Sequence, residues 1–314
     1  MIKQKIKLTS FLVYILVITV LYALLKYPSE ASEAVVSALK LCISAVIPSL
    51  FPFLVISALI VSTGLATKIG GFLKAPMNIL FKLPGEAGVS FLLGILSGYP
   101  VGATSALSLY KNGICSKSES ERLLAFCNNT GPAFVIGSVG LGMFTNIKIG
   151  IALYLIHIIS AVITGLLISL PAKRENQQNK SHGIPIKVPF GNALVDAVRK
   201  SSENMLYIVG FIAFFSVITR LFDLLLGVAS PLTQSIIGGI FEVASGINCT
   251  LENLGTTPYS LIISSAILGW AGLSVHAQVS AIISESDLSA KLYIFSKAIQ
   301  ALISALLTFL LLIL

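Results

Sequence analysis

Apolar residues along this chain come in runs long enough to cross a bilayer, and the informative polar positions interrupt those runs. Roughly 20 consecutive apolar residues span the hydrocarbon core as a helix. Residues 8–25 form the first run, preceded by Lys3, Lys5 and Lys7. The run is longer than a signal-peptide core and no A-x-A site follows it, so an uncleaved helix with its N-terminus inside is expected. Residues 34–64 form the second, broken by Pro48 and Pro52, whose missing donors kink or interrupt a helix. Residues 67–82 are amphipathic, carry Lys68, Lys74 and Lys82, and are expected along the inner surface. Residues 89–110 are interrupted at 97–100 and flanked by basic residues, which predicts a re-entrant hairpin entering and leaving on the cytoplasmic side. Residues 122–144 cross outward with a break near 128–132, and 149–170 cross back. The second half repeats the plan. Residues 205–226 cross outward, 231–254 form a second broken hairpin, 259–283 cross inward with an interruption at 269–272, and 292–314 make the last span. The fold class is an all-α polytopic membrane protein.

Composition agrees. Charged residues are 11% of the 314, against roughly 25% in soluble domains. So little charge cannot cover a water-facing surface, which excludes a soluble enzyme, a DNA-binding protein and a disordered chain. The net charge of +8 follows the positive-inside rule: 16 of the 21 Lys and Arg fall inside in this topology, and Lys26 and Lys148 fall outside. The four cysteines form no CxxC and sit near no His pair, so neither a disulfide framework nor a metal site is expected. No P-loop, Rossmann, H-E-x-x-H or nucleophile-elbow pattern occurs. The protein is expected to be no enzyme and to need no cofactor, and ATP-driven transport would need a separate subunit.

The two halves correspond in their interruptions. Gly94, Gly98 and Gly102 lie 144 residues before Gly238, Glu242 and Gly246, and Gly131 lies 141 before Gly272. Each half has three full crossings and one hairpin. An odd number of crossings turns the second half upside down, an inverted repeat of broken transmembrane helices with two re-entrant hairpins, which is a transporter architecture. Unpaired backbone groups are costly in lipid, so breaks persist only where they are buried or line a wet cavity. Half-helix ends there offer free donors and partial charges to a ligand.

The S-G-Y-P-V-G-A stretch at 97–103, A-F-C-N-N-T-G-P at 125–132 and G-W-A-G-L-S-V-H-A-Q-V at 269–279 resemble the bacterial sporulation integral membrane proteins of the nucleoside-recognition, or gate, domain family. The resemblance covers about residue 37 to the C-terminus. Gate domains are in turn similar to the hairpin-plus-broken-helix core of concentrative nucleoside transporters. The resemblance implies a multi-pass membrane protein of endospore-forming bacteria, in the outer forespore membrane. Related stage V sporulation proteins are implicated in moving dipicolinic acid into the spore. It divides the chain into an N-terminal transmembrane helix (1–33), a first gate-type repeat (34–170), a cytoplasmic loop (171–200) and a second, inverted repeat (201–314).

By position, the resemblance puts solute contacts on Ser97, Gly98, Tyr99 and Pro100 in the first hairpin and on Asn128, Asn129 and Thr130 in the first broken helix. It adds Glu242, Ser245 and Asn248 in the second hairpin, with His276 and Gln278 in the second broken helix. The first hairpin lacks the Gln and Glu that those transporters use on the nucleobase, which leaves room for a different small solute. A nucleoside or nucleobase transporter and a non-transporting structural or assembly protein of spore maturation stay open as alternatives.

Glu242 stands out, because a carboxylate at membrane depth is a functional-site hypothesis by default. Its structural alternative is a pair with Lys297. Asn128, Asn129 and Thr130 suit a carboxylate or ring nitrogen, with helix capping as the competing role. His276 either titrates near neutral pH or bonds within the bundle, and His157 reads as structural. Expected partners are a small-molecule solute, the lipid bilayer and a coupling ion, H+ or Na+; nucleic acid is not one, and a homo-oligomer is left open. From the basic asymmetry, a cysteine introduced within 171–187 should label from the cytoplasmic side only. Labelling from outside would overturn the orientation.

Overall fold

In lipid the helix satisfies backbone donors within one segment, and every regular element among the described residues is helical. The computed structural model describes residues 14–15, 17–63, 71–172, 189–227, 230–284 and 286–313. Residues 8–13 and 16 of the first expected span, residues 64–70 and residues 173–188 lie outside them. The elements are α1 (Val17–Lys26), α2 (Pro28–Leu41), π-helical π1 (Cys42–Val46) and α3 (Ile47–Ser62). After a 3-10 turn at Gly71–Leu73 come α4 (Lys74–Leu80), α5 (Ala87–Ser97), α6 (Val101–Lys111), α7 (Lys117–Cys127), π-helical π2 (Ala133–Met143) and α8 (Ile147–Ser169). The second half holds α9 (Phe190–Leu226), α10 (Pro231–Phe241), α11 (Val243–Leu254), α12 (Pro258–Trp270), α13 (Gly272–Ile283) and α14 (Lys291–Ile313).

Four stretches are long and apolar enough to cross a membrane: Ile147–Ser169, Phe190–Leu225, Pro258–Ile283 and Lys291–Ile313. A fifth is the pair Pro28–Val46 and Leu50–Ile60, bent by 54° where Pro48 removes a donor. Helices α5, α6, α7, α10, α11, α12 and α13 hold only 11–13 residues each. At 1.5 Å per residue they run about 16–20 Å, roughly half the hydrocarbon thickness. The expected crossing over 122–144 is thus two short pieces, α7 and π2, parted at 128–131.

Local chemistry sets the ends. Ser116 and Glu119 form a reciprocal capping box at the start of α7, as do Thr257 and Ser260 at α12, and Pro231 and Pro258 occupy first-turn positions where no donor is lost. Helix α9 begins at Phe190, inside the segment expected as loop. Its first turns are amphipathic and carry an Asp196–Arg199 pair at i, i+3. The 67–82 segment is less superficial than its lysines suggested. Met77, Phe81 and Leu83 are buried, and Lys82 Nζ donates to the carbonyls of Leu170 (2.8 Å) and Ala172 (3.0 Å), closing the C-terminal end of α8.

Packing rests on close backbone approach. The paired helices α5 and α6 both press on the end of α7: a Cβ on Gly94 would sit 1.6 Å, and one on Gly102 2.4 Å, from the Cys127 carbonyl oxygen. In the α10–α11 pair, a Cβ on Gly246 would sit 2.4 Å from Gly239 Cα. Phe126 stacks on Phe81 at 4.6 Å and lies 5.4 Å from Phe91, filling the space beneath the first pair. Helix α14 is polar inward and apolar outward: Lys297, Gln300, Ser304 and Thr308 are buried while Phe295, Leu302 and Leu306 are exposed. That inversion is the signature of a helix facing lipid.

At one surface the halves are tied by polar contacts. Tyr110 Oη donates to Asp287 Oδ1 (2.5 Å), Lys117 Nζ donates to Oδ2 (3.0 Å), and the Ser289 amide donates to Glu121 Oε1 (2.9 Å). The Tyr110 hydroxyl, and after it Lys117, hold the Asp287 carboxyl below its ordinary range. Its hydrogen bond from Tyr110 and Lys117 raises both of those groups in turn.

Two predictions follow from this packing. Gly94→Ala or Gly246→Ala should destabilise the protein by about 1–3 kcal/mol or more. Gly210→Ala, mid-helix with nothing within 4 Å, should stabilise by about 0.5–1 kcal/mol; thermal melts in nanodiscs measure both. Because Asp287 is depressed, its contribution is present above the unfolded carboxylate range and is lost as pH falls through the folded value. Asp287→Asn should therefore speed amide exchange over 286–290 at neutral pH, and variant and wild type should converge in acid.

Candidate functional site

The breaks between the short helices converge. Helix α5 ends at Ser97, Gly98 turns the chain at φ 77°, and α6 starts after Tyr99 and Pro100. Helix α10 ends at Phe241, Glu242 is extended (φ −150°, ψ 134°), and α11 starts at Val243. The third break is 128–131. The fourth is Ala271, left-handed at φ 72°, followed by Gly272. Each tip touches the break of its own half: a Cβ on Gly98 would lie 2.7 Å from the Gly131 amide nitrogen, and one on Gly272 would lie 3.2 Å from Glu242 Cα. Both positions combine positive φ with no space for a side chain.

One cavity of about 30 Å³ is bordered by the first three breaks and by α13 just beyond the fourth. Ser97, Gly98 and Tyr99 come from the first tip, Thr130, Gly131 and Phe134 from the first broken helix, Glu242 from the second tip, and Ser274, Val275 and Gln278 from the second broken helix. Val46 and Leu50, with Ile208, Phe211 and Ile212 of α9, supply an apolar wall. The second member of each helix pair begins beside this cavity, with the Ser245 amide of α11 already taken by Glu242 and the Ala103 amide of α6 by Asn128.

Of the twelve sequence-derived candidates, Ser97, Gly98, Tyr99, Thr130, Glu242 and Gln278 line the cavity. The other six sit behind or beside it. Asn128 Oδ1 accepts from the Ala103 amide (3.3 Å) and its Nδ2 donates to Tyr293 Oη (3.3 Å). Asn129 Nδ2 donates to the Phe126 carbonyl (2.6 Å), closing the end of α7. Pro100 precedes α6, and Ser245 Oγ pairs with Ser216 Oγ at 2.6 Å. Asn248 donates to Glu252 Oε1 (2.7 Å) one turn along α11, away from the cavity. His276 is buried between the rings of Trp270 (4.4 Å) and Tyr293 (5.3 Å).

Glu242 has a structural task. Its Oε2 accepts from the Ser245 amide at 2.6 Å, capping α11 with a carboxylate at the positive end of the helix. The alternative pairing with Lys297 is not formed. Lys297 Nζ instead donates to Gln300 Oε1 (2.8 Å) and Asn129 Oδ1 (3.2 Å). His157 Nε2 accepts from the Thr130 amide (3.0 Å), which holds the first break open. Lys297, Gln300 and Ser274 were missed as site residues. The signal was present for the first two, since buried polar residues recur at i, i+3, i+7 and i+11 from Lys297 in an otherwise apolar span. Among the described residues no three His, Cys, Asp or Glu side chains gather into a metal-binding group.

A sporulation integral membrane protein of Bacillus subtilis (strain 168), YlbJ, is 30% identical to this chain, and the match covers 90% of the chain and 77% of the relative. The chain belongs to this family of sporulation integral membrane proteins. It is a multi-pass membrane protein related to sporulation, and the lipid-facing apolar helices described above agree with that membership. No family model matches the chain, and no solved structure matches it.

Within this sporulation protein, Glu242→Ala should lower stability by about 1 kcal/mol through loss of the α11 cap. Glu242→Gln keeps an acceptor oxygen and should retain most of it. Nanodisc melts check this, and equal losses in the two variants would contradict the capping role.

Proposed function

We propose that this protein carries a small organic anion, dipicolinic acid or a related dicarboxylate, across a membrane of the sporulating cell, the outer forespore membrane. In this reading the halves are inverted gate-type repeats, the two short-helix pairs are re-entrant hairpins, and the N-terminus is cytoplasmic. The convergence of four helix breaks on one cavity carries the proposal. Orphan backbone groups at membrane depth are tolerated only where protein or a wet cavity meets them.

Equal spacings support the repeat. Gly94 approaches Gly102 as Gly238 approaches Gly246, each pair 144 residues from its counterpart, and each tip rests on the break of its own half. Ser304 Oγ donates to Ser160 Oγ (2.8 Å), and these serines are also 144 apart, the contact two symmetry-related helices make at their common axis.

The lining favours an anion with a flat apolar body. Neutral donors (the Tyr99, Thr130 and Ser274 hydroxyls and the Gln278 amide) suit carboxylate oxygens, and the Phe134 and Phe211 rings suit a pyridine face. Glu242 must be protonated or matched by a cation while a dianion is present. A cavity of about 30 Å³ holds one or two waters. Loading therefore requires the hairpin tips to draw back from the breaks, and that movement is the gate.

Uptake by the full chain in proteoliposomes tests the reading. Dipicolinate should accumulate above empty liposomes and uridine should not. Tyr99→Ala should raise the half-saturation concentration roughly tenfold, the equivalent of about 1.4 kcal/mol. Glu242→Gln should insert normally and change the rate and its pH dependence. Uridine flux would favour a nucleoside carrier. Absence of any flux would favour a structural role in spore maturation.

A further inference from the structure

Lys297 of α14 is fully buried, six residues and about 9 Å along the helix from Lys291. A buried ammonium costs several kcal/mol unless a charge repays it, and an ionisable group at membrane depth faces a partner or a pathway. Among the described residues no carboxylate forms a salt bridge with it. Its two acceptors are amide oxygens, Gln300 Oε1 at 2.8 Å and Asn129 Oδ1 at 3.2 Å. Two acceptors satisfy the two N–H bonds of a neutral amine. The third N–H of an ammonium would find only the Tyr293 ring, whose centroid lies 5.9 Å away.

The groups facing Lys297 from the elements around it are the Cys127 thiol of α7, His157 of α8, His276 of α13 and Tyr293 of α14 itself. Helix α12 turns serines toward α14. None of these is an anion. His157 accepts through Nε2 from the Thr130 amide, so its imidazole is neutral, and neither nitrogen of His276 has a hydrogen-bond partner that would hold a charge. Yet Asn129, the acceptor of Lys297, adjoins Thr130 on the cavity wall.

We propose that Lys297 is the proton-exchange site of the carrier, a neutral amine in the state described here and an ammonium when a carboxylate occupies the adjoining cavity. This rests on the solute reading above and adds the coupling ion to it. On loading, the Nζ lone pair takes one proton from a hydronium ion on the entry side, one O–H bond breaking as one N–H bond forms. On release, that proton leaves to water on the exit side with the solute, and the amine is restored. No other bond changes, and each anionic solute travels with one proton.

Nitrogen-15 NMR of the full chain with ε-labelled lysine in nanodiscs tests the site directly. One resonance should have amine character at about pH 8 and be missing in Lys297→Met. It should convert to ammonium in acid or on adding dipicolinate. Lysine signals that are all ammonium between about pH 6 and 9, with and without dipicolinate, would overturn the proposal whether or not the protein transports. In proteoliposomes with an internal pH dye, wild type should take up one proton per dipicolinate. Lys297→Met should insert stably, since an apolar side chain of similar volume replaces a buried polar group at little cost, and should lose the proton signal at least tenfold. Lys297→Arg, permanently charged, provides the same comparison if the Met variant does not fold, and should make flux independent of pH. Proton uptake equal to wild type in either variant would also overturn the assignment. Absence of dipicolinate flux in wild type would count against the solute reading alone, because the pH titration of the amine still decides Lys297.

Discussion

Every interrupted helix in a bilayer leaves backbone donors and acceptors that lipid cannot satisfy, and the arrangement of this protein follows from how those groups are met. At the first broken helix, His157 accepts from the Thr130 amide and Asn129 donates to the Phe126 carbonyl. Asn128 accepts from the Ala103 amide, which ties that break to the start of α6. At the second, the Trp270 indole donates to the Ile240 carbonyl at 3.1 Å, and Glu242 accepts from the Ser245 amide. Tyr154 Oη donates to the Ile95 carbonyl near the end of α5. The His157, Asn128, Tyr154 and Trp270 bonds each join a break to a neighbouring helix, and Asn129 and Glu242 cap the helices on which they sit.

The glycines make this possible by subtraction. With no Cβ at 98, 131 and 272, each hairpin tip lies against the break of its own half, so opening the cavity means parting backbone from backbone. Such contacts carry little apolar area, and their separation costs far less than moving the stacked Phe81–Phe126 core beneath them. Within each half, the tip and the break thus meet along a seam that contains few side chains. A solute larger than the present cavity needs that seam to part.

Much of this was legible in the sequence, because Gly, Pro and polar residues inside apolar runs mark breaks whatever the tertiary structure. The interruptions at 97–100, around Glu242 and at 269–272 coincide with helix ends. Less legible was which side chain at a break turns to the cavity. Asn128 and Asn129 read as solute ligands but spend their amides on Ala103, Tyr293, Phe126, Lys297 and Gln300. Asn248 lies one turn too far along α11, where its reach ends at Glu252. The start of α9 was obscured because a charged amphipathic helix shares its composition with a loop. Lys297 was legible as a polar position in the last span with Gln300 one turn on, but its second acceptor, Asn129, lies 168 residues away and no local pattern encodes it.

The central claim is that the breaks of both halves enclose one solute site. It is tested most directly by protecting a cysteine there from a thiol reagent, in a chain whose four native cysteines have been replaced. Ser274→Cys, on the cavity wall, should react with a small methanethiosulfonate, and saturating dipicolinate should slow that reaction severalfold. Asn248→Cys, off the cavity, should react at a rate that dipicolinate leaves unchanged. Equal rates at position 274 with and without dipicolinate, or equal protection at both positions, would contradict the account.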